Sequence, residues 1–322
     1  MSKIELSILS TGKIGDPVEG ELLVKTARKA VTKTNKAYLN ITLSDGVQDT
    51  VSNVWNWTAE NIPQPNDVVA IEGSIGEYHE NRQLNISSLK RSKVSSEEFA
   101  PKGDFDIEAY WQRFNTLASN VTNPFYKAVL EHFTSEKYEA LWKSAPSALG
   151  FHHNCVAGNL WHSVDTCNNA VALYANYSTI ASLDLVITGS LLHDIGKLET
   201  YRLNGATIEM TVPGQLLDHI ALGIMNLETL RGMAYEMGET ASLELLMHCI
   251  ASHHGKTEYG SPVTPRCLEA IIINYADGLD AKARNYIDLD KIAVNGTWTN
   301  KMYMLDNKPM LISNYVRGEI DE

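Results

Sequence analysis

The sequence has few cysteines and no long apolar segment, and both absences narrow the class of protein. Its 322 residues include four cysteines without a CxxC pair or regular spacing, which argues against a disulfide framework and favours reduced thiols in a cytoplasmic protein. No run approaches the roughly 20 apolar residues of a membrane-spanning helix, so no membrane partner is expected. The start, MSKIELSILS, has charges within its apolar stretch, which argues against a signal peptide.

Positive charge is also scarce. The net charge of −12 argues against a strongly basic nucleic-acid binder. Residues 1–103 hold 12 Lys and Arg against 13 Asp and Glu, so the remaining residues carry a net charge of −11. Bound divalent cations would offset part of that charge. The length suits two domains better than one.

Residues 19–92 carry the alternation and the turn residues of short β-strands. Five antiparallel strands in about 75 residues fit a small Greek-key barrel of the OB type, a fold used to bind single-stranded nucleic acid. Other small five-stranded barrels fit the same pattern. The predicted strands cover residues 21–31, 36–45, 48–57, 67–78 and 82–91.

The pattern changes to helical spacing after a polar segment, KVSSEEFAPKGDFD (93–106), which is predicted to be a linker. We therefore predict a multidomain chain, with a small all-β OB-type barrel in residues 1–100 and an all-α domain in residues 101–322. A hairpin is expected around residues 201–210. The predicted helices cover residues 107–121, 124–146, 156–177, 182–193, 215–236, 240–253 and 265–285.

Two kinds of side chain in the predicted barrel are candidates for nucleic-acid contact: aromatic rings that stack on bases and cations that meet phosphates. These substrate-binding candidates are Tyr38, Trp57, Tyr78, Lys36 and Arg82. Core packing of the rings and solvation of the strands by the charges are the alternative explanation. Trp55 and Trp57 share one face of a predicted strand, so we expect at least one of them in the core.

Histidine is abundant where cysteine is scarce. Eight of the ten histidines lie between residues 152 and 254. Burying ionisable groups is costly unless they pair or bind a metal. Imidazole and carboxylate suit Mn²⁺, Fe²⁺, Zn²⁺, Ni²⁺ or Co²⁺. A lone buried histidine is more often a hydrogen-bonded core residue, which is our expectation for His79, His132 and His248. The ordered set is His152-His153, His162, His193-Asp194, His219, His248, His253-His254 and Asp277.

This order resembles the HD superfamily of metal-dependent phosphohydrolases, in which the pattern His…His-Asp…Asp lies on consecutive helices. Several blocks are similar to the YhaM-type 3′–5′ exoribonuclease family. They are HHNCVAGNLWHSV, LLHDIGKLETY, LLDHIALG and ASHHGKTEYGSPVTPRCLEAIIINYADGLDAK, together with the OB-like segment before them. The resemblance covers most of residues 19–285. It implies an OB-type barrel followed by an all-α HD domain.

The resemblance also implies residue roles. A first cation would be held by His162, His193, Asp194 and Asp277. His219, His253 and His254 would complete a second site, with Asp194 bridging. Lys197 would act with Asp194 in catalysis by meeting the substrate phosphate, and Gly196 would let the chain turn toward the same cavity. His152 and His153 would lie near the substrate.

Two divalent cations are therefore expected, with Mn²⁺ as the first choice and Fe²⁺, Ni²⁺, Co²⁺ or Zn²⁺ as alternatives. Such a pair would activate a metal-bound hydroxide that attacks the terminal phosphodiester. The leading hypothesis is a 3′–5′ exonuclease of single-stranded nucleic acid, with RNA preferred over DNA as the expected substrate. Association of the chain into a homo-oligomer is left open.

Two other functions are weighed against this hypothesis. The first is an HD phosphohydrolase of mononucleotides or cyclic dinucleotides, and the second is a non-catalytic nucleic-acid-binding protein with a vestigial HD domain. The predicted barrel argues against the first, because a small substrate needs no strand-binding groove. The complete ligand set argues against the second.

Overall fold

Five strands form a closed β-barrel in the N-terminal part of the chain. Buried and exposed side chains alternate along them, because successive side chains of a strand point to opposite faces. The strands are hydrogen-bonded in the order β1-β2-β3-β5-β4, and β4 pairs back onto β1. The contact of β3 with β5 is parallel, and the other pairs are antiparallel. The predicted five-stranded OB-like barrel is thereby confirmed. The strands are β1 (Pro17–Val31), β2 (Ala37–Ser44), β3 (Asp49–Trp55), β4 (Val68–Tyr78) and β5 (Asn81–Arg91).

The long strand β1 pairs with two neighbouring strands. Its first half pairs with β4 and its second half with β2, and the register shifts between Val24 and Thr26. Such a bulge bends a strand, which lets one strand continue around the barrel. The inward side chains are apolar and fully or almost fully buried, among them Leu22, Val24, Leu39, Ile41, Leu43, Val69, Ile71, Ile75 and Leu84.

After the barrel, the described residues form helices and one short hairpin, as the spacing predicts, with two isolated β-bridges near the end, Trp298 with Leu311 and Met302 with Lys308. The hairpin strands are β6 (Tyr201–Asn204) and β7 (Thr207–Met210). A short helix, α1 (Ile8–Thr11), precedes the barrel. The later helices are α2 (Ile107–Ser119), α3 (Pro124–Phe133), α4 (Glu136–Trp142), α5 (Gly158–Tyr174), α6 (Leu183–Leu192), α7 (Lys197–Thr200), α8 (Val212–Glu228), α9 (Arg231–Glu236), α10 (Thr240–Ser252) and α11 (Leu268–Asp290).

Two predicted helices are each divided in the structure. The segment predicted over 124–146 is α3 and α4, and the one over 215–236 is α8 and α9. At the first break, the hydroxyls of Thr134 and Ser135 donate to the carbonyls of Leu130 and His132. Such local bonds offer the backbone an alternative to continuing the helix, a competition that apolar periodicity does not reveal.

Helix α6 carries the HD pair into the interior of the helical part. Every residue from Leu185 to Leu192 is buried, because α5, α10 and α11 pack around this helix. A helix that is apolar all round is typical of such a buried position. His193 and Asp194 follow its last turn and are each 1% exposed.

The computed structural model describes residues 2–32, 34–58, 60–78, 81–149, 153–290, 298–302, 305 and 307–312. The chain divides into two units, of which the first comprises Met1–Lys102 with Leu203–Ile208. Within that unit, Ala206 is buried with Leu23, Val68 and Phe99. The second unit holds Gly103–Arg202 and the chain from Glu209 onward. Among the described residues, no helix has the length and apolar character needed to cross a membrane.

Candidate metal centre

Five helices of the second unit bring the histidines and aspartates of the ordered motif to one place. His162 lies on α5, the His193-Asp194 pair follows α6, and Asp277 lies on α11. His219 lies on α8, directly after a kink, and His253-His254 follow α10. Residues separated by more than a hundred positions therefore meet in the interior of one unit.

The first group consists of His162, His193 and Asp277, whose side chains lie near Oδ2 of Asp194. Nε2 of His162 lies 3.1 Å from Oδ1 of Asp277 and 3.1 Å from Nε2 of His193. Oδ2 of Asp194 lies 3.5 Å from Nε2 of His162 and 3.3 Å from Nε2 of His193. The four side chains can thus direct one donor atom each at a common point.

A second group lies on the other side of the same carboxylate. His219, His253 and His254 each offer a ring nitrogen, and these atoms all lie within 4.8 Å of one another. Oδ1 of Asp194 lies 3.5 Å from Nε2 of His219 and 3.5 Å from Nε2 of His253. The two oxygens of Asp194 therefore face two different sets of imidazoles.

The five imidazoles share one orientation. In each of them Nδ1 is hydrogen-bonded to an oxygen, and Nε2 points toward the other side chains of its group. For His193, His253 and His254 that oxygen is a backbone carbonyl, of Ser190, Ile250 and Tyr259 respectively. For His162 and His219 it is a carboxylate, of Asp280 and Asp218 respectively. Because these oxygens accept, Nδ1 carries the proton and Nε2 presents its lone pair.

Three buried atoms of the two groups fit a bound cation. Oδ1 of Asp194, Nε2 of His219 and Nε2 of His253 have no hydrogen-bond partner among the described residues. A buried polar atom without a partner costs about 1–3 kcal/mol. A divalent cation would satisfy all three at once, and imidazole with carboxylate is a donor set for such a cation.

The charge states of the second group agree with that donor set. Burial, followed by the neighbouring His254, lowers the pKa of His253, and burial also lowers the pKa of His254. Both imidazoles are therefore neutral at neutral pH, as metal ligands must be. In the first group, burial opposes but Asp277 and Asp280 raise the pKa of His162 to about 10, so this imidazole must release a proton to bind a cation. Burial would raise the pKa of Asp194, but Lys197 and His193 hold it well below its usual value. Burial also opposes the low pKa of Asp277, which His162 and His193 maintain.

The proposed catalytic lysine is buried beside the shared carboxylate. Nζ of Lys197 lies 2.6 Å from Oδ2 of Asp194 and 3.3 Å from Oγ of Ser147. The chain turns at residues 193–196, as expected, but Gly196 has ordinary helical angles there, with φ −65° and ψ −19°, which do not require a glycine. Its role is close approach, because a Cβ at this position would collide with the carbonyl oxygen of His219.

The predicted substrate contact at His153 is not the contact that the structure provides. His153 is 3% exposed, and its Nε2 lies 2.9 Å from Oδ2 of Asp280, on the Nδ1 side of His162. Its ring packs edge-on against Trp161. His153 is therefore buried on the Nδ1 side of His162 and does not lie at an exposed surface. His152 lies outside the described residues.

The barrel residues chosen from the sequence fall in different environments. Trp57 follows β3 and packs partly buried against the barrel core, which favours the core-packing alternative for this ring. Trp55 is 55% exposed and stands opposite Tyr38, with ring centroids 5.1 Å apart. Lys36 is exposed, and Arg82 donates to the carbonyl of Gly12. The side chain of Tyr78 lies outside the described part of the structure.

Sequence reasoning missed the polar row beside this aromatic pair. Arg28, Asn40 and Asn53 stand opposite one another on three strands, with Arg28 donating to Asn40 and Asn40 to Asn53. The period-two burial of β3 could have indicated the outward face, since Asn53 and Trp55 share it. Asp218 was also missed, because a residue at the surface end of a predicted helix gives no signal of its contact with the next histidine.

Comparison with known proteins agrees with the fold and the site. A family model described as HD domain matches residues 160–282, which contain all seven residues of the two groups. The fold and the site thus define an HD-domain protein with an OB-like barrel before it.

The chain is 30% identical over 305 residues to the 3′-5′ exoribonuclease YhaM of Geobacillus sp., with 92% of each chain covered. It is 29% identical to the protein of the same name in Bacillus subtilis, covering 92% of this chain and 95% of that one. For the one in Halalkalibacterium halodurans the identity is 28%, with 96% and 97% covered. The chain belongs to the YhaM family of 3′-5′ exoribonucleases.

Proposed function

We propose that the chain is a 3′–5′ exoribonuclease that hydrolyses single-stranded RNA with two divalent cations. One observation carries the proposal: the two oxygens of Asp194 face two separate sets of imidazoles, each 3.3–3.5 Å away. Membership of a family whose relatives bear this name supports the substrate and the direction.

The ligand assignment follows from the two groups. His162, His193 and Asp277 would hold the first cation with Oδ2 of Asp194. His219, His253 and His254 would hold the second with Oδ1 of Asp194. The imidazole and carboxylate donors are consistent with Mn²⁺ as the native metal, with Fe²⁺, Ni²⁺, Co²⁺ or Zn²⁺ as alternatives. Cations held there would supply Lewis acidity and lower the pKa of a bound water.

The protein's own groups supply position and charge. Asp194 aligns the two groups through its two oxygens. The Lys197 ammonium lies 2.6 Å from Oδ2 of Asp194 and would supply a positive charge to a phosphoryl oxygen bound beside that carboxylate. A fixed cation of this kind stabilises the charge that builds up on a phosphoryl group in the transition state. Asp194 and Lys197 are 1% and 9% exposed, which limits the access of bulk water to the pair.

The barrel would hold the single strand. We place hydrolysis in a domain of residues 101–322 and strand binding in a domain of residues 1–100. The exposed ring of Trp55 beside Tyr38 offers a surface for stacking, and Arg28 and Lys36 offer positive charge. Stacking on an aromatic side chain contributes about 1–3 kcal/mol per base. Cytoplasmic action on RNA agrees with four cysteines that form no disulfide.

Product analysis tests this function. A single-stranded RNA labelled at its 5′ end is incubated with the full chain and Mn²⁺, beside the same sequence as DNA. We expect a ladder that shortens from the 3′ end, faster for RNA, and abolished by a chelator. Inert RNA together with turnover of mononucleotides or cyclic dinucleotides would favour the small-substrate phosphohydrolase. Binding of RNA without any turnover would favour the non-catalytic alternative.

A further inference from the structure

Two carboxylates of α11 meet opposite edges of the same imidazole. Oδ1 of Asp277 lies 3.1 Å from Nε2 of His162, and Oδ2 of Asp280 lies 2.7 Å from its Nδ1. The two aspartates are three positions apart, so they lie on one face of the helix. Asp280 is 7% exposed. Its carboxylate therefore contacts the ring from the edge that the cation does not use.

Asp280 is in turn held by His153. The same oxygen, Oδ2, lies 2.9 Å from Nε2 of His153. The backbone of His153 has φ 56°, a left-handed conformation that non-glycine residues rarely adopt, and its carbonyl accepts from the amide of Cys155 at 2.8 Å. Gly158 lets this carbonyl approach, because a Cβ there would collide with it. The surrounding backbone thus aims His153 at Asp280.

The second group has an equivalent carboxylate. Oδ1 of Asp218 lies 2.6 Å from Nδ1 of His219 and also accepts from the backbone amide of His219 at 2.6 Å. Asp218 has φ 61° and ψ 166°, which interrupts α8 directly before the ligand. Strained backbone of this kind persists only where the surrounding structure maintains it, and it clusters at functional sites. Here the kink brings the carboxylate back onto the ring of the next residue.

We propose that Asp280 and Asp218 are positioning residues, one for each cation, which align His162 and His219 through Nδ1. The proposal rests on the two-cation function proposed above. A carboxylate only accepts hydrogen bonds, so each fixes the tautomer that presents Nε2 to the cation. The other three imidazoles rely on backbone carbonyls, which side-chain substitution does not remove.

Replacement by asparagine separates this role from packing. Asp280→Asn and Asp218→Asn keep the shape of the side chain, but the amide nitrogen can donate to Nδ1. The proton then resides on Nε2, which faces the cation. Loss of such an aligning carboxylate typically weakens metal affinity by about 10–100-fold. Each variant should weaken the cation of its own group alone.

The test titrates Mn²⁺ into the metal-stripped full chain by isothermal calorimetry. His219→Ala leaves only the first group intact, and His162→Ala leaves only the second. We expect Asp280→Asn to weaken Mn²⁺ binding by about 10–100-fold in the His219→Ala background and not in the His162→Ala background. Asp218→Asn should show the reverse. Equal losses in both backgrounds, or no loss in either, would overturn the positioning roles.

A control variant and a second test variant complete the experiment. Asp165→Asn removes a carboxylate whose partner is the hydroxyl of Tyr110, so it should leave Mn²⁺ affinity unchanged. If Asp280→Asn does not fold by circular dichroism, Asp218→Asn decides the proposal at the second group, since the Asp218 side chain is 68% exposed. A wild-type chain that binds one Mn²⁺ would contradict the two-cation function, while the paired variants would still report on that one ion.

Discussion

The ammonium nitrogen of Lys197 lies 2.6 Å from Oδ2 of Asp194, and the two side chains are 11% and 1% exposed. Burying both charges is costly, and removing one partner leaves the other charge uncompensated. Burial would lower the pKa of Lys197, but Asp194 raises it, so the lysine stays charged. The lysine therefore stabilises the carboxylate that the two cations would share, and its removal should affect the metal-free and metal-bound chain differently.

Lys197→Met should destabilise the metal-free chain more than the metal-loaded chain. Without the ammonium, the buried Asp194 loses its nearest opposite charge, and removing one partner of a buried ion pair costs about 3–5 kcal/mol. Mn²⁺ should remove most of this difference, because the cations neutralise Asp194. Melting temperatures with and without Mn²⁺ measure the effect, and Lys143→Met is the control, since its ion pairs are at the surface. Turnover should fall while metal content is retained, and unchanged turnover would contradict the catalytic role.

Asp194→Asn should abolish metal binding and hydrolysis together. The amide keeps the size of the carboxylate but loses the charge and one of the two oxygens that face the groups. Metal content after dialysis against Mn²⁺ and cleavage of labelled RNA measure the two effects. His248→Ala is a matched control, because Nε2 of His248 only accepts from the backbone amide of Arg266. Full Mn²⁺ content in Asp194→Asn would rule out its role as the shared ligand.

Two glycine-to-alanine substitutions should have opposite effects. In Gly196→Ala the new methyl group would meet the carbonyl of His219, and overpacking of this kind costs about 1–3 kcal/mol. The displaced His219 should also weaken the second cation. At Gly232, on α9, an added Cβ would meet no heavy atom of the described residues within 4 Å apart from the adjacent residues and the backbone of its own helix, so Gly232→Ala should stabilise by about 0.5–1 kcal/mol. Urea unfolding and Mn²⁺ titration measure both effects, and equal stabilities would disprove the close approach.

Trp55→Ala should weaken binding of long RNA and spare dinucleotides. Stacking on one aromatic side chain contributes about 1–3 kcal/mol, and a dinucleotide need not reach the barrel to be cleaved. The measurement is kcat/KM for a long single strand and for a dinucleotide. Val51→Ala is the control, because Val51 lies on the same outward face of β3 and is 56% exposed. An equal loss on both substrates would indicate that Trp55 supports the barrel rather than the strand.

Cys267 should be the cysteine that reacts first with iodoacetamide. Its hydrogen bond with Cys249 lowers the pKa of its thiol to about 7, whereas burial raises the pKa of Cys155 to about 11 and of Cys167 to about 12. A lowered pKa means that the reactive thiolate is present above about pH 7 and lost below it. Peptide mapping across pH 5–9 should show a midpoint near 7 for Cys267. Faster labelling of Cys155 would contradict the prediction.

The sequence determined the two fold classes and located the HD domain. Period-two runs with turn residues located five strands, because strand pleating dictates that period wherever one face is buried. The ordered histidines and aspartates indicated an HD site, since imidazole and carboxylate in an apolar setting need a cation or a partner. These inferences depend on residue type and spacing, which the sequence displays directly.

Only the tertiary structure decided which way individual side chains point and which residues they contact. Trp55 and Trp57 are two positions apart, so the sequence predicts that they share one face of a strand. However, β3 ends at Trp55, and only Trp55 stays on the outward face, while Trp57 packs partly buried against the core. His153 belongs to the ordered motif, yet its backbone turns it onto Asp280, behind His162. Which edge of an imidazole faces a cation depends on an acceptor brought from another helix or from a kinked backbone. Sequence spacing along one helix cannot display such a contact, because the partners are set by packing between distant segments.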